Sequence, residues 1–156
     1  MSAPGCSPNP ETTFVGMDLM YTATQSQYDF TNATSGRDLR AAGYTRVAFF
    51  SRGSLSTNTV LKVEVASSGN PPGCLVPVPS PCVTLSTNGT DDDPNFPCGR
   101  TAQLTGSWQS YSIPVANSDL ANVKDFFKAT FVFKPAIGAP AGQGGTVYFD
   151  VIQYAP

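Results

Sequence analysis

The chain contains no histidine, and this absence removes more chemistry than any other feature of the sequence. Without imidazole there is no Ser-His-Asp or Cys-His nucleophile system. There is no histidine-ligated copper or zinc, and no general base of the usual kind near neutral pH. Charge is also scarce: Asp, Glu, Lys and Arg together make up 13% of the residues, about half the usual share. The nine basic residues are scattered and the net charge is −2, so the basic footprint that nucleic-acid binding requires is missing. Apolar runs extend over only a handful of residues, too short for a membrane-spanning helix. Glu11 and Glu64 are the only glutamates. The opening MSAPGCSPNP has neither a basic nor an apolar region, and does not read as a signal peptide.

What is present points to strands and loops. Gly and Pro number 14 each, and apolar residues reach 40% of a 156-residue chain, enough for the core of one domain. Period-2 alternation recurs along the sequence. In YTRVAFFSRG, Thr45, Val47 and Phe49 face one way and Tyr44, Arg46 and Ala48 the other. TVLKVEVAS sets Leu61, Val63 and Val65 against Val60, Lys62 and Glu64, and is expected to pair with the preceding strand as its antiparallel neighbour. SWQSYSIPV opposes Tyr111, Ile113 and Val115 to Trp108, Ser110 and Ser112. FFKATFVFKP opposes Phe127, Ala129, Phe131 and Phe133 to Lys128, Thr130, Val132 and Lys134. The last strand, GTVYFDVIQY, sets Val147, Phe149 and Val151 against Tyr148, Asp150, Ile152 and Tyr154. Two short strands are expected between Phe14 and Phe30, and single helical turns near Asp38–Ala42 and after a Ser118 cap. The pattern predicts an all-β fold, an antiparallel β-sandwich (jelly roll) of two sheets and about 8–10 strands. Residues 1–10 read as a Pro/Ser-rich arm or linker, and the domain is expected to occupy 11–156.

The four cysteines are Cys6, Cys74, Cys82 and Cys98, with no CxxC pair among them. An even count in loop-rich, weakly charged sequence reads as two disulfides and a secreted protein. Met1 then begins a processed or recombinant form rather than a cytosolic one. Three connectivities are open. The preferred one joins Cys74 to Cys82 across a short Pro-rich loop and Cys6 to Cys98. The acidic run Asp91, Asp92, Asp93 lacks the spacing of an EF-hand loop and is expected to be a solvated turn.

Three segments, YTRVAFFSRGS, LTGSWQSYSIPVANSDLANVKDFF and GGTVYFDVIQY, in this order, resemble the β-sandwich carbohydrate-binding modules of secreted bacterial polysaccharide-degrading enzymes. The resemblance leaves out the Pro/Cys-rich segment. It implies a non-catalytic domain that binds a plant or algal polysaccharide such as a β-glucan and targets an attached catalytic domain to it. The domain is expected to be a monomer without nucleic-acid or membrane partners. In such modules the aspartate of the last strand often holds a structural calcium, which here implies Asp150. Six to eight oxygens are needed, and Asp18 and then Glu11 are the candidate partners.

The expected sugar-binding residues are Tyr44, Arg46, Phe50, Arg52 and Trp108, an aromatic and arginine stripe on faces turned from the core. A pyranose ring has an apolar C–H face that packs on aromatic rings, while its hydroxyls seek planar polar groups. Two other readings stand beside this one. The first is a structural or adhesive extracellular sandwich. The second is a histidine-free lyase or hydrolase, although a glycosidase needs a second carboxylate within about 5–9.5 Å of the first, and no second one is evident beside Glu64.

Overall fold

The structure, a computed structural model, describes residues 14–20, 36–67, 80–93, 97–133 and 144–156. Among the described residues, eight strands make two facing sheets: β1 (Phe14–Met20), β2 (Arg46–Leu55), β3 (Thr59–Ser67), β4 (Cys82–Ser86), β5 (Thr101–Gln103), β6 (Gln109–Pro114), β7 (Asp125–Phe133) and β8 (Gly145–Ala155). The five-stranded sheet runs β1-β7-β3-β4-β5 and the three-stranded sheet runs β6-β2-β8. The protein is an all-β sandwich, as the alternation predicts. The pairings among these described strands are antiparallel except β4–β5, which is parallel.

Alternation explains the core. Val47 and Phe49 of β2 are buried, as are Tyr111 and Ile113 of β6. These meet Leu61, Val63 and Val65 of β3 and Phe127 and Ala129 of β7 in one hydrophobic cluster. Phe49 is its hub. Its ring lies 5.4 Å from those of Tyr111 and Phe127 and 5.9 Å from that of Phe149. Phe127 and Phe149 close the group edge to face at 5.2 Å, within the range where such pairs add to simple burial.

Several local expectations change. β2 and β3 are not neighbours: the chain crosses from one sheet to the other at the turn closed by Thr59 N–H donating to Ser56 O, 3.0 Å. β3 pairs instead with β7 and β4 and is buried on both faces, not half-buried. The five residues CVTLS form β4, a strand hidden in Pro-rich sequence. Both helical turns are short 3₁₀ turns, Arg40–Ala42 and Asp119–Asn122. Ser118 makes no side-chain cap. Asp119 Oδ2 instead accepts from Ala116 N–H, 2.7 Å.

The disulfide differs too. Cys82 bonds Cys98, with Cα atoms 5.4 Å apart; Asp92 holds Cys98 and Gly99 beside β4, since it accepts from their N–H groups and from the Thr84 hydroxyl. This excludes both expected pairings, Cys74–Cys82 and Cys6–Cys98. Cys6 and Cys74 lie outside the described residues.

The acidic run is not a free turn. Asp92 accepts from the Thr84 hydroxyl and from the N–H groups of Asp93 (2.8 Å), Cys98 (3.1 Å) and Gly99 (2.8 Å). Burial pushes its pKa up, but these hydrogen bonds outweigh burial and hold the carboxyl below its usual range. Asp93 is buried with its carboxylate 3.9 Å from Lys62 Nζ.

Candidate functional site

The outward side of the three-stranded sheet is an open aromatic surface. β2 is its middle strand, hydrogen-bonded on both sides, so residues facing away from the core are set by two ladders at once. In register, Arg52 lies opposite Tyr148, Phe50 lies between Ser110 and Asp150, and Ala48 lies between Ser112 and Gln153. Trp108 immediately precedes β6 and continues the first of these rows. The Arg52 guanidinium carbon is 4.9 Å from the Trp108 ring centroid and 5.2 Å from that of Tyr148, both within cation–π range. The relative exposures of Phe50, Trp108 and Tyr148 are 42%, 43% and 53%. These are three of the five large hydrophobic residues left exposed among those described, and Val151 on β8 is a fourth on the same side.

Neighbouring backbone holds the surface in place. Gly53 N–H donates to Thr105 O at 2.8 Å, which pins the turn before Trp108 to β2 beside Arg52. Within that turn the Thr105 hydroxyl donates to Ser107 O, 3.0 Å. The buried Ser51 hydroxyl donates to Tyr148 O at 2.9 Å, fixing β8 from beneath. Gly53 has a second role: a Cβ there would run into Thr146 O and Val147 Cα, so the close approach of β8 requires glycine.

β8 contains a bulge that the sequence does not announce. Phe50 pairs with Asp150 and Ala48 with Gln153, so β8 carries one more residue than β2 between these pairs. Val151 takes φ +48° there, uncommon for a β-branched residue. The bulge inverts the alternation. Val147 and Phe149 pack on the core, as do Ile152 and Tyr154, while Tyr148, Asp150 and Val151 all stay on the exposed side. Extra residues of this kind re-aim side chains near functional surfaces.

The expected site residues therefore divide. Arg46, Phe50, Arg52 and Trp108 share the outer face. Tyr44 does not: it packs against the core, with its ring 5.4 Å from that of Tyr154, because it precedes β2 and is not held in that strand's alternation. Tyr148 was missed as a platform residue, although its strand alternation already set it opposite Val147 and Phe149.

The expected calcium ligands are not brought together by what is described. Asp150 is exposed rather than embedded in an apolar strand, and its Oδ1 accepts from Val151 N–H at 2.8 Å. Asp18 is on β1, in the other sheet, paired with Lys128. Glu11 lies outside the described residues. Among the described residues there is no group of three or more acidic or cysteine side chains placed to hold a metal.

Glu64 does gain a second carboxylate nearby. Lys62 Nζ is 3.7 Å from Glu64 Oε1 and 3.9 Å from Asp93 Oδ2, and Lys128 Nζ is 3.9 Å from Glu64 Oε2. Lys62, Glu64 and Asp93 are all buried, so this cluster is a charge-balanced part of the five-stranded sheet, closed to a sugar chain. A shallow groove of about 540 Å³ lies elsewhere, beside the Cys82–Cys98 bond and Arg100, Pro114 and Asp119.

No protein-family model, curated protein or solved structure matches the chain.

Proposed function

We propose that this domain is a non-catalytic polysaccharide-binding module whose platform is the outer face of β6-β2-β8. The observation that carries the reading is the cross-strand row Trp108–Arg52–Tyr148, flanked by exposed Phe50. Flat aromatic faces suit the C–H side of pyranose rings. Ser110, Ser112, Asp150 and Gln153 in the adjoining rows supply acceptors and donors for hydroxyls. A platform fixed by two backbone ladders loses little freedom when it binds, which favours affinity. In a secreted protein such a face would hold an attached glycan-degrading domain against its substrate.

The test is retention in native gels containing individual plant and algal polysaccharides, with a parallel assay for reducing ends and unsaturated products. Retention without products is expected. Products from any of these glycans would make the domain an enzyme. No retention on any of them would favour a structural or adhesive role for the same exposed face.

A further inference from the structure

We infer that this face selects polysaccharides bearing carboxylates, that is uronic-acid polymers, over neutral ones; the inference rests on the polysaccharide-binding reading above. Among the described residues, the charged side chains of the outer face are Arg46 and Arg52 on β2 and Asp150 on β8. Two cations less one anion leave +1 on a surface belonging to a chain of net charge −2.

Several charges elsewhere among the described residues are paired. Asp38 pairs with Arg40, and Lys62 and Lys128 pair with Glu64 and Asp93. Neither Arg46 nor Arg52 has a carboxylate partner among the described residues. Arg52 is held at its two ring neighbours, Trp108 and Tyr148. Ring contacts spend none of a guanidinium's N–H donors on an oxygen acceptor, and no hydrogen bond from Arg52 to a protein oxygen is seen among the described residues.

A planar fork of donors beside sugar-stacking aromatics matches a carboxylate, which accepts two parallel hydrogen bonds from it. The aromatics would take the ring and the guanidinium its C6 carboxylate. Arg46 lies six positions along the same strand, roughly 20 Å away at 3.3 Å per residue. It would meet a later carboxylate of the same polymer. Asp150, on the strand beside Phe50, opposes such a ligand and limits the selectivity.

Two uronate polymers, polygalacturonate and alginate, are each compared with their carboxyl-reduced counterparts by calorimetry at low and high salt. The wild type should bind at least one acidic polymer about tenfold more tightly than its reduced form, as expected when charge-assisted bonds replace neutral ones. Added salt should narrow that gap. Arg52→Gln should remove the preference and keep residual binding to the reduced polymer. Arg52→Lys, which keeps charge without the fork, should recover only part of it. Asp150→Asn should strengthen binding of the acidic polymer alone.

Equal affinity for acidic and reduced polymers overturns the selectivity while leaving the polysaccharide reading standing. Arg52→Lys binding as well as the wild type overturns the assignment to the guanidinium. Failure to bind any of the four, and any neutral glycan, overturns both proposals together.

Discussion

Replacing Asp92 with asparagine separates the charge of this side chain from its shape. In the native protein Oδ1 accepts from the Thr84 hydroxyl and the N–H groups of Asp93 and Cys98, and Oδ2 accepts from Gly99 N–H. An asparagine can keep the Oδ1 bonds, but its NH2 group then faces the Gly99 N–H, donor against donor. The loss comprises one hydrogen bond and the charge assistance of three others. Hydrogen bonds to charged groups contribute about 1.5–3 kcal/mol against 0.5–1.5 for neutral ones. Partial exposure of Asp92 calls for a discount, leaving about 1–2 kcal/mol. For a chain of this size that lowers Tm by about 3–6 °C.

The pH dependence gives the sharper test. The folded-state pKa of Asp92 is depressed, so between it and the unfolded value of about 3.9 the unfolded chain binds more protons. The contribution is complete above the unfolded value and is lost as pH falls through the folded one. The stability gap between wild type and Asp92→Asn, from urea unfolding at pH 7, 5 and 3, should therefore be constant from 7 to 5 and shrink from about pH 4 downward. A gap absent at pH 7, or undiminished at pH 3, would refute the assignment of the carboxylate as an ionised hub that ties Cys98 and Gly99 to β4.

Three further outcomes are expected. Non-reducing peptide mapping should recover Cys82 joined to Cys98, and Cys82→Ser with Cys98→Ser should cost about 3 kcal/mol in chemical unfolding, as expected for the short loop that the bond closes; free thiols at both positions would contradict the structure. Gly53→Ala should destabilise by about 1–3 kcal/mol as overpacking does and weaken glycan binding, because the added Cβ meets β8 backbone under Tyr148; unchanged melting and binding would show that β8 is not so close. Asp150→Asn should leave Tm unchanged with and without calcium, since the carboxylate is exposed and already accepts from Val151 N–H; a calcium-dependent rise of Tm in the wild type alone would make Asp150 a metal ligand.

The outer platform was legible where alternation is unbroken. Val47 and Phe49 inward put Phe50 and Arg52 outward, and Tyr111 and Ile113 inward put Trp108 outward. The same reasoning misplaced the second half of β8, because the bulge at Asp150–Val151 adds a residue without glycine or proline to signal it. Alternation also identifies a strand's two faces without saying which sheet holds it, so β2 and β3 read as neighbours although each is committed to a different sheet. CVTLS gives little signal, because Pro77, Pro79 and Pro81 run up to it and five residues give too short a period. The Cys82–Cys98 pairing follows from Asp92 gathering the loop's N–H groups beneath β4, a tertiary event that cysteine spacing does not encode.

The most direct measurement of the central claim is the affinity of the Trp108→Ala, Tyr148→Ala double variant for whichever polysaccharide retains the wild type best. The two residues are 43% and 53% exposed, which for residues of up to about 250 Å² leaves roughly 100 Å² of each open. Stacking a sugar over half of that, at about 25 cal/mol per Å², gives about 2.5 kcal/mol for the pair, or a loss of about 60-fold in Kd. The account predicts that loss with a melting temperature within a few degrees of the wild type. A double variant that stays folded and binds the polysaccharide as tightly as the wild type would contradict it.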